Sequence, residues 1–419
     1  VESSPTEPAQ GKKDKDEKSP SEKLDTGSDK LTAAQTEFGP LLESRNRQLA
    51  AAIASASAKR VAEPGKLAWV TDLSAKSPEV PLLKRGDYFQ PGEFVVPGAL
   101  SALTDSGNAF QLESPLPNAK STGRRLAFGR WATRPNSRAA ALLARVQVDR
   151  LWRGHFGQGL VPSPENFGAS GVPPTHPELL DWLAVKLIDS GWRQKAVHRA
   201  IVLSRAYRQV STASPTALTA DTQNAFYSRF PAHRLEAEQI RDSMLAVADV
   251  LNRKSGGPAV DTIDKGNRQI VLPTPTGPGP HEVDRRSIYI RHRRSQPLSF
   301  LRVFDQATPE PNCVARGTST VVAQSLAMLN SEFATRMGSE FANRVLREIG
   351  TRPVDEQLQH VFRVALTRDP TAAELLRCRE FLRLQTERRQ VAAPDLAHPA
   401  ALADLCRLLL ATNEFLSLQ

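Results

Sequence analysis

Arginine is the side chain whose placement in this sequence most directly suggests chemistry. Arg285, Arg286, Arg291, Arg293 and Arg294 crowd the string RRSIYIRHRR. Each guanidinium is a planar fork of donors that can grip a carboxylate, sulfate or phosphate through two parallel bonds. Tyr289 is the one aromatic neighbour, so stacking surface for single-stranded nucleic acid is scant and that partner is disfavoured. A second group, Arg234, Glu238, Arg241 and Asp242, shares a helix face away from the apolar arc of Ile240, Met244, Val247 and Leu251, and its acids and arginines stand at pairing distance along the helix. On another helix, Arg150 falls in the middle of the arc of Leu142, Leu143 and Val146, which predicts a buried guanidinium. A buried charge needs a carboxylate, and Glu236, Asp181 and Asp149 are the candidates. Arg150, Arg234, Arg241, Arg286, Arg291 and Arg316 are the expected ligand-binding set. The same pattern also suits a purely structural ion-pair network.

A catalyst would have to draw on His155, His176, Glu236 and Asp305, brought within hydrogen-bond reach of one another. His176 stands at a helix start, where it either bonds backbone or helps to hold an anion. No phosphate loop, zincin, nucleophile-elbow or dinucleotide signature is present. The eight histidines contain no pair at i, i+4, and Cys313, Cys378 and Cys406 form no C-x-x-C, so no metal site or covalent haem is expected in this chain. Cys313 reads as an ordinary thiol, since no base neighbours it in sequence.

The elements that must position these residues are mostly helical. Helices are expected from Ala139 to Trp152, from Thr175 (with a Thr175/Glu178 capping box and Pro177 in the first turn) to Gly191, over 193–209 and over 235–251. Further helices are expected over 321–349 with a break at Asn330, and over 354–366, 372–390 and 400–412, with a second capping box at Thr371/Glu374. Trp131, Trp152, Trp182 and Trp192 read as core. Residues 285–294 alternate as a half-exposed strand, with Ile288 and Ile290 on one face. The run LAWVTDL reads as a strand, and 81–100 as short extended pieces broken by Gly and Pro.

The fold class expected is therefore mainly α, a multi-helical domain with a small β element and long Pro/Gly-rich loops. Residues 1–36 are read as a disordered linker, 37–124 as a helix plus a loop-rich connector, and 125–419 as the helical domain. The 419 residues include 55 Lys and Arg against 45 Asp and Glu, net +10. The acidic first 30 residues leave the remainder more basic still, which favours anionic partners. No apolar run is long enough to span a membrane, and the polar start has no signal-peptide pattern.

RVQVDRLWRGHFGQGLV (145–161), PPTHPELLDWL (173–183), RLEAEQIRD (234–242), RRSIYIR (285–291), CVARGTST (313–320) and NEFL (413–416) occur together in one order. In this the chain resembles the planctomycete-type C-terminal domain of unknown function found in exported proteins, many of which carry a cytochrome-c domain. Two departures from that pattern are Asp149, where the family has Asn, and Ala248-Asp249, where it has Ser-Gly. The resemblance implies a helical domain, export to the periplasm, cell envelope or exterior, and haem only on a partner or a missing domain. The function expected is a non-catalytic binding or scaffold domain taking an anionic ligand or polysaccharide in an arginine-lined cleft. The alternative is a hydrolase or oxidoreductase module working with a haem-bearing partner.

Overall fold

The structure, a computed structural model, describes residues 44–52, 79–104, 109–112, 121–277, 279–308, 313–317, 319–350, 352–390 and 394–418. The expected linker over 1–36 and the LAWVTDL strand lie outside them. Two compact units divide at Pro64 and Gly65. In the first, residues 44–52 form a helix that is exposed throughout.

The described residues of the second unit start with an antiparallel hairpin, β1 (Val80–Leu83) and β2 (Pro91–Val95), in which Val80 faces Val95. Helices then take over. Helix α1 (Arg124–Thr133) packs on α2 (Arg138–Phe156), and α3 (Pro177–Asp189) and α4 (Gln194–Val202) close the first apolar core around Val148, Trp152, Phe156, Leu183, Leu187 and Ile201. Ser137 caps α2 by accepting from the Ala140 N–H at 3.1 Å. Trp152 stacks on Phe156 with centroids 4.2 Å apart and donates to the Tyr227 hydroxyl at 2.7 Å, so its one polar group is satisfied inside the core.

The larger core joins α6 (Ala237–Val247), α7 (Ser299–Val303), α8 (Val322–Asn330), α9 (Glu332–Ile349), α10 (Val354–Leu366), α11 (Ala372–Gln390) and α12 (Ala397–Leu410). A short α5 (Pro215–Ala220) lies between the two sets. The chain end returns to pair with the start of the second set: β3 (His233–Arg234) runs antiparallel to β6 (Ser417–Leu418). A third small ladder joins β4 (Ile263–Asp264) to β5 (Ile270–Val271). The mainly helical fold class thus stands, with only two-stranded antiparallel sheets among the described residues. The expected break near Asn330 is real, because Ser331 caps α9 and accepts from Ala334 N–H at 3.2 Å. The Thr371/Glu374 box also forms in both directions.

Four local expectations are corrected. Residues 285–294 make no strand: Ser287–Tyr289 is a single 3-10 turn, and only isolated bridges reach Arg285 and Ile290. Asp242 holds that turn by accepting from the Ser287 N–H and hydroxyl, both at 2.7 Å, and this buries Ser287 while leaving Ile288 76% exposed. The Thr175/Glu178 box is absent. Thr175 instead donates backbone N–H and hydroxyl to the Leu160 carbonyl at 2.8 and 3.2 Å, so His176 becomes the N-cap residue. The helix predicted over 193–209 ends at Val202, and the chain continues in turns. Trp182 is 55% exposed, beneath the Lys186 ammonium 5.2 Å from its ring, and is not core.

Candidate functional site

Arg150 is exposed, not buried. The buried face of α2 is Ala140, Ala144, Val148, Asp149, Trp152 and Phe156, whereas Leu142, Leu143 and Val146 are only half covered. Val148, Trp152 and Phe156 on this face pack against Leu180, Leu183 and Leu187 of α3, so this arc and not the Leu142 arc faces inward. Neither Asp149, Asp181 nor Glu236 meets Arg150. Asp149 accepts from Arg153 Nη2 at 2.6 Å and from the Val161 N–H at 2.9 Å; Asp181 pairs with Arg145 at 2.6 Å; Glu236 faces Arg316 at 3.4 Å. Asp149 is the acid buried here, and Gly159 makes room for it: a Cβ there would sit 2.6 Å from the carboxylate.

Among the described residues the buried arginines are Arg241 and Arg285. Arg285 donates to the carbonyls of Pro258 at 3.0 Å and of Gly256, and its guanidinium lies 3.9 Å from the Tyr289 ring centroid. Arg241 donates to the Arg285 carbonyl at 2.9 Å and to the Val283 carbonyl at 2.6 Å. Burial pulls the Arg241 pKa down to about 10, against the partial support of Asp242 and Asp284, so it stays protonated at neutral pH. Arg241 ties α6 to residues 283–287, and Arg285 ties that segment to residues 256–258, so the backbone that carries Arg286 is held on both sides.

That framework opens a cleft of about 780 Å³ between α6, the 286–292 segment and the 313–316 segment. Glu236, Arg286, Arg291 and Arg316 all line it, with Glu238 and Asp242 on its helical wall. Glu236 sits at the N-cap of α6, where Gln239 accepts from its N–H at 2.9 Å in a capping box that sequence reading passed over. Arg316 donates to Glu238 at 2.5 Å. Burial lowers the Arg316 pKa, yet the bond to Glu238 and the charges of Glu238 and Glu236 outweigh it, and the net shift is upward.

The lip is differently balanced. Arg291 and Arg293 share the single carboxylate of Asp261, at 2.8 and 3.3 Å. Arg286, 64% exposed, makes one long contact, 3.4 Å to Asp242 Oδ2, while Ser287 bonds the other oxygen, Oδ1. Positive charge therefore exceeds negative charge at the rim, while carboxylates gather on the wall. His292, Gln306 and the exposed Cys313 also line the cleft, and Gln306 Oε1 is buried without a hydrogen-bond partner. No sequence signal singles out Gln306 or His292, because the turn at Ser287 and the 301–306 segment meet only through the tertiary fold.

The remaining candidates are elsewhere. Arg234 donates to Thr320 Oγ1 at 3.4 Å with its guanidinium 5.8 Å from the Phe304 ring, and Asp305 clasps the following loop by accepting from the Ser319 N–H at 2.7 Å. His176 Nδ1 contacts Thr175 Oγ1 at 3.0 Å. His155 Nε2 contacts His198 Nδ1 at 2.8 Å beside Tyr207. The four residues of the catalytic proposal are thus not assembled; Glu236 alone reaches the cleft. Among the described residues no group of three or more His, Cys, Asp or Glu is arranged to hold a metal ion.

Residues 124–382 match the family described as PSD1, a protein of unknown function (DUF1553). The chain belongs to this family. The family segment starts with α1, contains every residue lining the cleft, and ends inside α11. No curated protein and no solved structure matches the chain.

The histidine pair makes a prediction about stability. Burial, and then the neighbouring His198, push the His155 pKa below its ordinary 6.5. Between that value and 6.5 the unfolded chain binds a proton that the folded chain refuses, so stability is full above about 6.5 and declines as pH falls toward the depressed value. Urea midpoints taken at steps from pH 7.5 to 5 should fall for the wild type and fall less steeply for His155→Asn. Parallel curves would assign the acid sensitivity to other groups.

Proposed function

We propose that this domain binds an anionic, hydroxyl-rich ligand of the acidic-polysaccharide kind in the arginine-lipped cleft, acting as a non-catalytic module. The observation that carries the reading is the convergence of Arg286, Arg291 and Arg316 with Glu236 and Glu238 on one open cleft. Guanidiniums in excess at the rim suit carboxylate or sulfate groups. Wall carboxylates accept hydroxyl protons, a division of labour that fits a charged sugar chain better than a simple inorganic anion. A scaffold role in an exported protein, beside a cytochrome-c-type domain or other exported partner, follows from the family resemblance and is part of the same proposal. No helix among the described residues is long and apolar enough to cross a membrane.

Titration with heparin, polygalacturonate and neutral dextran, followed by calorimetry at several salt concentrations, tests the reading. One charge-assisted contact contributes about 1.5–3 kcal/mol. Arg286→Ala and Arg291→Ala should therefore each weaken binding of a charged polymer roughly tenfold or more, salt should weaken it further, and dextran should not bind. Salt-insensitive binding, or binding unchanged in both variants, would overturn the proposal. Release of reducing ends that Glu236→Gln abolishes would move the domain to the hydrolase reading.

A further inference from the structure

A second cavity, of about 650 Å³, lies on the other side of Leu298 from the arginine-lipped cleft. Its volume is within the range of small-molecule sites. Its walls come from α7, from the start of α9 and from the β4–β5 hairpin with the Leu272–Pro275 strap that follows it. Ile270, Leu272, Leu298, Phe300, Val303 and Phe333 supply an apolar interior, and the two phenylalanine rings meet edge to face with centroids 5.0 Å apart. Several of these side chains are only half-buried although they belong to or border the larger core, as expected where a space within the fold is left open.

The charges around this space do not balance. Arg241, Arg336, Lys265 and Glu332 line it. Glu332 answers Lys265, accepting from its ammonium at 2.6 and 2.8 Å across the mouth, and Asp284 answers Arg336 through two bonds. Arg241 has no carboxylate of its own. The nearest, Asp242, is 3.7 Å away and is already engaged by Ser287 and Arg286. The Arg241 and Arg336 guanidiniums stand 5.6 and 6.0 Å from the Phe333 ring centroid, so unspent positive charge borders an aromatic floor. A wholly apolar guest would leave that charge as it is. A guest with an anionic end would neutralise it in a setting screened from water.

From this juxtaposition we infer that the cavity between α7, α9 and the β4–β5 hairpin binds a hydrophobic carboxylate, its apolar body on Phe300 and Phe333 and its anionic end toward Arg241 and Arg336. An acyl chain and an aromatic acid share this chemistry. The site is independent of the polysaccharide reading, since the two cavities have only Leu298 in common.

The test uses the full chain and the fluorescent probe 1-anilinonaphthalene-8-sulfonate, an aromatic body with an anionic group. Saturable one-to-one binding is expected. Decanoate or 2-naphthoate should displace the probe, and which of them does so more strongly distinguishes the acyl from the aromatic source. Decan-1-ol, equal in chain length to decanoate but uncharged, should compete at least tenfold less well than the better acid. Ala327→Phe fills the cavity from α8, and Thr274→Trp covers it from the exposed strap; each should abolish probe binding while keeping a cooperative thermal transition. If Ala327→Phe fails to fold, Thr274→Trp decides. Probe binding that survives in a folded variant, that is missing from the wild type, or that decan-1-ol competes as well as the acids would overturn the inference. Arg291 lines only the arginine-lipped cleft and has Asp261 as its carboxylate partner, so Arg291→Ala should leave probe binding unchanged, and this separates the two sites.

Discussion

Asp284→Ala is expected to lower the unfolding free energy by about 3–5 kcal/mol, the usual cost of removing one partner from a buried ion pair. Asp284 is completely buried and accepts from Arg336 Nη1 at 3.0 Å and from Nη2 at 2.5 Å. Without it, Arg336 keeps its charge in a half-buried position, and Arg241, which also feels Asp284, loses part of its support. The Asp284 carbonyl accepts from the Asn252 N–H at 3.0 Å, so loosening this point also frees the segment that aims Arg286 at the cleft. Asp355→Ala is the control. Asp355 bonds Arg379 on the surface, both residues well exposed, and such pairs contribute about 0–1 kcal/mol. Urea unfolding of the two variants should differ several-fold in the stability lost. Equal losses would mean that the buried pair is not a clamp.

Gly338→Leu is expected to abolish cooperative folding, and Gly338→Ala to reduce stability by about 1–2 kcal/mol. Gly338 lies on α9 where α12 crosses it, and a Cβ would stand 2.8 Å from both the Ala403 carbonyl oxygen and Arg407 Cβ. A backbone oxygen cannot swing aside as a side-chain tip can. Replacing glycine by alanine inside a helix gains up to about 1 kcal/mol of propensity. Overpacking a close helix contact costs about 1–3 kcal/mol, so the loss outweighs the gain. Thermal unfolding followed by circular dichroism reads both variants. A higher melting temperature for Gly338→Ala would show that the helices can part there without penalty.

The arginine cleft was half legible in sequence. Arg286, Arg291, Arg316 and Glu236 stand out by residue type and local clustering, and the fold brings them to one opening. Arg150 misled because helical periodicity reports that an apolar arc exists, not which arc another helix covers. Leu142, Leu143 and Val146 form an apolar arc, yet the opposite face, with Val148, Trp152 and Phe156 among its alanines, is the one buried in the core with α3. The alternation at 285–294 misled for a related reason: period two was present, but Asp242 on α6 captures the Ser287 N–H and hydroxyl and bends the chain into a turn. Contacts between residues some 45 positions apart leave no trace in a local window.

By itself the sequence determined the helical class, the breaks at Asn330 and Gly191, the second capping box, the basic character of the chain and its family likeness. These depend on neighbours within a few residues, on composition or on strings of residues in order. The tertiary structure alone decided that Asp149 rather than Arg150 is buried, that Arg241 and Arg285 hold backbone carbonyls and do not line the arginine-lipped cleft, and that His155 and Asp305 serve separate local contacts. It also decided that charge is left over at the cleft rim and beside the apolar cavity. Whether a charge is spent or spare depends on which distant carboxylate reaches it, and only packing sets that distance.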